Sequence, residues 1–417
     1  MRNKNKIGIL SLGCPRNLVD SENLLGRLNL KGYPIVDMEQ ADTAIVNTCA
    51  FIEEAKAESI DAILALIDLK KQGKLKKIIV HGCLSQRYKD KLRKELPEVD
   101  AFVGKIALNH DRAAFRLTPS HYAYVKICEG CINNCSYCVI PKIKGKFTSL
   151  KASSVLKKIE KLNKDKVSEI NIVGQDITGY GMDLFGKTKL PGLLRKIVKK
   201  SGNVGWLRLL YLHPGRISDE LLELINDEPK FCKYIDLPLQ HINDRILKLM
   251  GRKTTKQEIL RVIDRIRKKV ADITIRTSFI VGFPSETDKD FKELMDFIEK
   301  VKFERLGAFI YSREEGTPAY DFKKQVPDGI KKERFDAIML KQQEISRDVN
   351  MKLLGKTIDV LIDEKDGDFY LGRGESDAPE VDGMVYVDSV NELSAGEFVQ
   401  VEITDTLEYD LVGRRVL

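Results

Sequence analysis

Three times in the first hundred residues a short apolar run ends in a cysteine and passes into sequence of helical character. The runs are Ile7 to Gly13 before Cys14, Thr43 to Thr48 before Cys49, and Lys77 to Gly82 before Cys83. Cysteine spacings of 35 and 34 residues suit successive strand-helix units of an open parallel sheet. Parallel strands share one direction, so the three cysteines are expected at the edge where open α/β sheets place their sites. Asn17 to Leu30 and Glu53 to Lys70 read as helices closed by Gly32 and Gly73, and Leu96 to Gly104 as a last strand. Asn109 to Ser120, polar and carrying Pro119, reads as a linker.

A second alternation begins at His121. Strands are predicted near Tyr122 to Ile127, Glu169 to Val173, Trp206 to Tyr211, Tyr234 to Leu237, Thr274 to Ile280 and Arg305 to Ile310. Between them Ser154 to Lys164, Leu190 to Lys200, Thr255 to Lys269 and Thr287 to Lys302 read as helices. Six repeats suggest an open or partial (β/α)6 barrel rather than the full eightfold form. After a charged helix, Asp328 to Leu354, five short strands follow: Thr357 to Ile362, Phe369 to Arg373, Met384 to Val387, Phe398 to Ile403 and Leu411 to Val416. That pattern suggests a small antiparallel β-barrel of the kind that often binds polymers. The fold class is therefore α/β multidomain, with boundaries expected at 1–118, 119–354 and 355–417.

Charge changes the picture for the tail. From Lys356 to Leu417, 5 Lys and Arg stand against 16 Asp and Glu, a net of -11, whereas the other 355 residues carry 65 against 46, a net of +19. An acidic barrel on a basic body argues against phosphate as the barrel's main partner. With 43% hydrophobic and 32% charged residues over 417, no apolar run approaches the roughly 20 residues of a membrane helix. Ile7 to Leu12 before Cys14 is too short for a signal core and reads as a strand, so a cytoplasmic protein without a membrane anchor is expected. There, eight cysteines point to ligands or reactive groups rather than to structural disulfides.

The central cysteines lie in Cys128-Glu-Gly-Cys131-Ile-Asn-Asn-Cys135-Ser-Tyr-Cys138. The Cys-x3-Cys-x2-Cys spacing of Cys131, Cys135 and Cys138 suits a 4Fe-4S cluster with one open iron, which S-adenosylmethionine (SAM) can chelate. Cys128 makes a fourth thiol available, so a closed ferredoxin-like cluster or a structural zinc site is the competing reading; we read Cys128 as a bystander on the incoming strand. Cys14, Cys49 and Cys83, three small residues at strand ends, could be core, but their equivalent placement points to a second cluster, again with three thiols and an open iron. Cys232, beside Phe231, reads as core.

The chain resembles the radical SAM methylthiotransferases over essentially its whole length, including a C-terminal TRAM-like barrel. The residues that carry this are Ser11-Leu-Gly-Cys14-Pro-Arg16-Asn17-Leu-Val-Asp20-Ser-Glu22, Asn47-Thr-Cys49-Ala-Phe-Ile52, His81-Gly-Cys83-Leu-Ser-Gln86-Arg87-Tyr88 and Tyr311-Ser-Arg-Glu-Glu-Gly-Thr317. Cys14-Pro-Arg-Asn17 is most similar to the branch that modifies an aspartate of ribosomal protein S twelve, free or in the small ribosomal subunit. The resemblance implies two 4Fe-4S clusters and two uses of SAM. One SAM supplies a methyl group to sulfur held at Cys14, Cys49 and Cys83; another, on the second cluster, yields the radical that removes hydrogen from the aspartate β-carbon. It also implies a low-potential electron donor such as flavodoxin or ferredoxin, and a sulfur source. For SAM, it points to Tyr137 beside the adenine, to Gly174, Gln175 and Asp176 at the amino group, and to Asp236, Gln240, Thr277 and Gly282 at strand ends. No side chain is assigned a catalytic role. Where relatives often carry arginines after the cluster loop, this chain has Lys142, Lys144 and Lys146, which keep charge but lose the bidentate fork.

Two other functions fit the same residues. A tRNA adenosine methylthiotransferase would share the chemistry, although an acidic barrel would repel RNA. A non-catalytic iron-sulfur or zinc protein would use the cysteines structurally.

Overall fold

The computed structural model describes residues 4–106 and 115–416. Its first sheet has four parallel strands in chain order, Ile7–Ser11, Thr43–Thr48, Lys77–Gly82 and Ala101–Val103. The first three end in step: Ser11 pairs with Asn47, Asn47 with His81, and Thr48 with Gly82. The chain then enters the helices Pro15–Leu30, Glu53–Lys71 and Cys83–Glu95. A common register and a common direction thus bring all three cysteines to the same edge. Two glycines make the tight exits possible. Gly13 (φ +86) could not carry a Cβ without meeting Cys49, and at Gly82 (φ +100) a Cβ would lie 2.3 Å from Asn47 Oδ1. Half of the expected linker, 109–114, lies outside the described residues, and 115–120 is irregular.

The central sheet has six strands, Tyr122–Lys126, Glu169–Val173, Trp206–Leu209, Phe231–Asp236, Thr274–Val281 and Arg305–Ile310, all parallel and adjacent in chain order. The first and last strands do not pair, so the barrel stays open. Helices Ala152–Lys164, Leu190–Ser201, Asp219–Asp227, Lys256–Lys269 and Asp288–Val301 cover it through a continuous aliphatic core. Asp219–Asp227 is a helix that the sequence reading passed over; Ser218 caps it, accepting from Leu221 N.

The tail is a closed five-stranded barrel: Thr357–Asp366, Phe369–Gly374, Val385–Asp388, Phe398–Thr406 and Leu411–Arg415. The expected all-antiparallel pattern holds for four pairings, while Val385–Asp388 runs parallel to Leu411–Arg415. The reason is topological, since an odd number of strands cannot alternate in direction all the way round a closed ring.

This barrel packs against the starting ends of the central strands. Arg373 Nη1 lies 2.6 Å from buried Glu169, which also takes Arg208 Nε at 2.8 Å. The loop 375–382 carries Asp377 to Arg305 (2.6 Å) and Asp382 to Arg276 (3.2 Å) and to the Tyr234 hydroxyl (2.7 Å). Trp206 meets Phe398 edge to face at 4.9 Å. Part of the tail's negative charge therefore neutralises arginines of the body rather than facing solvent. Exposed acids remain elsewhere on the barrel, among them Glu364, Asp366, Asp368 and Glu392.

Candidate functional site

The finishing ends of the two parallel sheets face each other. From the first sheet come Cys14, half-buried, and Cys49 and Cys83, both buried. Their thiols act on one another: the Cys83 thiol is pushed up to about 11 by burial, with Cys49 and Cys14 adding to it. Cys14 moves the other way; burial would raise its pKa, but the Arg16 guanidinium and the Asn17 backbone N–H lower it. Arg16 Nε donates to Cys14 Sγ at 3.3 Å. Asn17 braces the trio, with Nδ2 donating to the Leu12 and Thr48 carbonyls and Oδ1 accepting from Cys83 Sγ at 3.6 Å and Lys144 Nζ at 3.4 Å.

The loop of Cys131, Cys135 and Cys138 faces them from the central sheet. It is held by Ser136 N to Met250 O (2.8 Å), Ser136 Oγ to Leu249 O (2.7 Å) and Ala319 N to Ser136 O (2.9 Å). All three thiols are half-exposed. Cys131 Sγ accepts from both the backbone and the side-chain N–H of Asn133 at 3.4 Å. Arg252 and Tyr137 reach Cys135, and the backbone N–H of Ile140 reaches Cys138. Hydrogen bonds donated to sulfur suit thiolates that ligate iron, so the donors here fit such a group. Among the described residues, no three His, Cys, Asp or Glu side chains are grouped for a single metal ion.

Cys128 is placed differently. It is wholly buried in the core of the central sheet, its Sγ 3.6 Å from the Asp176 carbonyl oxygen, and a Cβ on Gly174 would come within 2.4 Å of it. Cys232 packs among Tyr122, Tyr124, Trp206 and Tyr234, as expected of a core residue.

The residues expected around SAM divide into two groups. Asp176 lies beside the cysteine loop, accepting from Asn133 Nδ2 at 2.8 Å and pairing with Arg216, while Gln175 Oε1 is buried without a hydrogen-bond partner among the described residues. Tyr137 packs edge-on to Phe283 at 6.4 Å. Asp236 is buried, and its pKa is raised by that burial although Arg276 and the Tyr211 N–H oppose the rise. The other group is engaged in holding the fold. Thr277 Oγ1 donates to Leu237 O (3.0 Å), Gly282 N to Glu286, and Gln240 bridges to Phe279 with φ +74. Gly174 is a packing glycine against Cys128.

Several residues of the site carried no assignment from sequence. Arg16, Asn17, Asp20 and Asn133 lie inside motifs where they had no assigned role; Tyr211, Arg216 and Arg252 had no local signal, because only the fold brings them to the cysteine loops. The Arg16 guanidinium stacks on the Tyr211 ring at 4.3 Å. Lys144, one of the three lysines standing where relatives often have arginines, is buried against Asp20 at 2.9 Å. A cavity of about 210 Å³ opens beside Cys83, lined by Asp20, Lys105, Lys126, Glu129 and Lys144. Arg87 and Lys56 of the first sheet close on Glu314 of the second at 2.6 and 3.1 Å.

An open six-stranded parallel barrel that carries a three-cysteine loop at its finishing edge is the architecture of radical SAM proteins. Residues 125–298 match the radical SAM superfamily, 6–104 match the family described as Uncharacterized protein family UPF0004, and 354–416 match the TRAM domain. The chain is 47% identical, over 98% of both chains, to the ribosomal protein uS12 methylthiotransferase RimO of Clostridioides difficile (strain 630), and 46% identical, over 98% of this chain and 99% of the other, to that of Thermoanaerobacter sp. (strain X514). It belongs to the RimO family and is a radical SAM methylthiotransferase. In fold it is similar to the radical SAM methyltransferase TsrM of Kitasatospora setae, with TM-score 0.51 and 14% identity over 76% of this chain and 77% of that one. Among the described residues no helix is long and apolar enough to cross a membrane.

Proposed function

We propose that this chain adds a methylthio group to the β-carbon of an aspartate in ribosomal protein uS12. In this reading Cys14, Cys49 and Cys83 hold one 4Fe-4S cluster and Cys131, Cys135 and Cys138 hold another, with SAM bound near Asp176, Gln175 and Tyr137. When bound, these groups supply a reductant, a radical able to take hydrogen from an unactivated carbon, and the methylthio group itself. The observation that carries the reading is the place of Arg16, whose Nε donates to Cys14 Sγ at 3.3 Å while its guanidinium lies 4.3 Å from the ring of Tyr211 in the central domain, so that the edges bearing the two trios meet. Two thiol trios this close can serve one substrate.

The chain's own residues do the rest. Asn133, Arg252 and Arg16 orient thiolates through donated N–H groups, and Asn17 fixes the spacing of the first trio. The site opens to solvent at Gly13, Cys14 and Tyr211, so it is the bound substrate that would close it and let a radical meet the intended carbon first. The exposed acids of the barrel suit a basic ribosomal protein better than RNA.

Anaerobic reconstitution is expected to load about eight irons per chain, two four-iron clusters. Mass spectrometry after turnover should find methylthio on uS12 and none on tRNA. A gain on tRNA alone, or about four irons, would overturn the reading.

A further inference from the structure

We infer that Arg16 is the carboxylate receptor of this site: its guanidinium grips the side-chain carboxylate of the acceptor residue between the two cysteine trios and makes the enzyme choose an acid over its amide. The inference rests on the proposed reaction and adds to it the group that reads the substrate.

Arg16 is half-exposed, at the opening where Gly13, Cys14, Cys131, Cys135, Cys138 and Tyr211 also reach solvent. Its one hydrogen bond among the described residues runs from Nε to Cys14 Sγ, which leaves both Nη groups without a protein acceptor. Among the described residues it forms no ion pair with a carboxylate; Asp236, which receives the Tyr211 N–H, and Asp20, on the same helix as Arg16, are taken by Arg276 and by Lys126 and Lys144. A planar fork with two unused N–H edges matches a carboxylate, which accepts two parallel hydrogen bonds.

The plane of that fork is set in advance. Tyr211, against which it stacks, has φ +64, a costly conformation for a tyrosine. It is held there by its N–H on Asp236 Oδ2 (2.9 Å) and by its carbonyl accepting from Ile177 N (3.1 Å). Asp236 is fixed in turn by Arg276 (3.3 Å), and Arg276 by Asp382 of the C-terminal barrel (3.2 Å). A chain of pairs thus runs from the tail barrel through the central barrel to the ring that orients Arg16. A residue needed only to balance the Cys14 thiolate would require the charge and not this support.

The test uses reconstituted holoenzyme without SAM, so that binding is read without turnover, and fluorescently labelled uS12 in two forms, one with its acceptor aspartate and one with asparagine there. Wild type is expected to bind the aspartate form about tenfold more tightly, the margin of a charge-assisted pair over a neutral one. In R16M the two affinities should converge, and R16K, with charge but no fork, should fall between. Equal binding of both forms by wild type overturns the inference. So does an R16M enzyme that keeps the discrimination while its iron content or cluster potential changes, the result expected if Arg16 only balances the thiolate. Should wild-type enzyme with SAM leave uS12 unmodified, the proposed function falls instead, on a separate measurement.

Discussion

Arg87 and Glu314, 227 positions apart, meet with Nη1 2.6 Å from Oε2, and the same carboxylate takes Lys56 Nζ at 3.1 Å. The pair joins the sheet that carries Cys83 to the sheet that carries Cys131, and Glu314 is 1% exposed. Both residues lie in motifs noted from the sequence, where neither had a partner.

Removing the buried carboxylate leaves Arg87 without an acid and Lys56 with the exposed Glu53 alone, and breaking such a buried pair costs about 3–5 kcal/mol. E314A should therefore keep reductive SAM cleavage, a function of the central barrel alone, while methylthio transfer drops by at least roughly tenfold as the trios lose register. Parallel loss of both activities would show that the pair serves only folding.

Cys128 and Gly174 offer a paired test of the cysteine loop. C128A should retain the full iron content and SAM cleavage, at a cost in stability of about 1 kcal/mol for a small buried deletion. G174A alone puts a methyl group 2.4 Å from Cys128 Sγ and should destabilise the protein by about 1–3 kcal/mol. In the double variant the space returns, and unfolding midpoints should recover most of the loss. Additive losses, or iron loss in C128A, would contradict the core assignment.

Glu169 lies wholly buried between Arg208 and Arg373, and although burial raises its pKa, the two guanidiniums hold it below the ordinary range. E169Q leaves Arg208 without a carboxylate and Arg373 with Asp363 alone, and should cost about 3–5 kcal/mol. R373M should cost less, since Glu169 keeps Arg208. Denaturant unfolding of the two variants checks the order, and the reverse order would show that the barrel docks by other contacts.

His213 supplies a pH signature that does not depend on titrating a thiol. Burial first, then Arg252 and Arg216, push its pKa down to about 2, and its Nδ1 accepts from Gly215 N at 3.1 Å. In the unfolded chain the imidazole protonates near 6.5. Below that pH the unfolded chain binds a proton that the folded chain refuses, so this part of the stability is present above about 6.5 and is lost as pH falls toward about 2. H213N keeps the acceptor and removes the titration. Between about pH 6 and 5, wild type should lose roughly 1.4 kcal/mol per unit more than H213N, and identical slopes would refute the assignment.

Apolar runs for the strands and a helical period for the longer helices sufficed for the order and type of the main elements, because those patterns follow from backbone geometry and burial, whereas short elements such as Asp219–Asp227 and Asp244–Leu249 escaped them. Equivalent cysteines after three strands were enough to predict their shared edge, since parallel strands in one register must end together. What the sequence could not decide was pairing at long range. The single parallel seam of the tail barrel, the use of its acidic loop on Arg276 and Arg305, the burial of Lys144 on Asp20 and the stacking of Arg16 on Tyr211 all join residues with no local periodicity between them. Charge counts add every residue equally, whereas the folded chain spends some charges inward and leaves others to solvent. That division, and with it the groups that surround the six cysteines, was decided only by the tertiary structure.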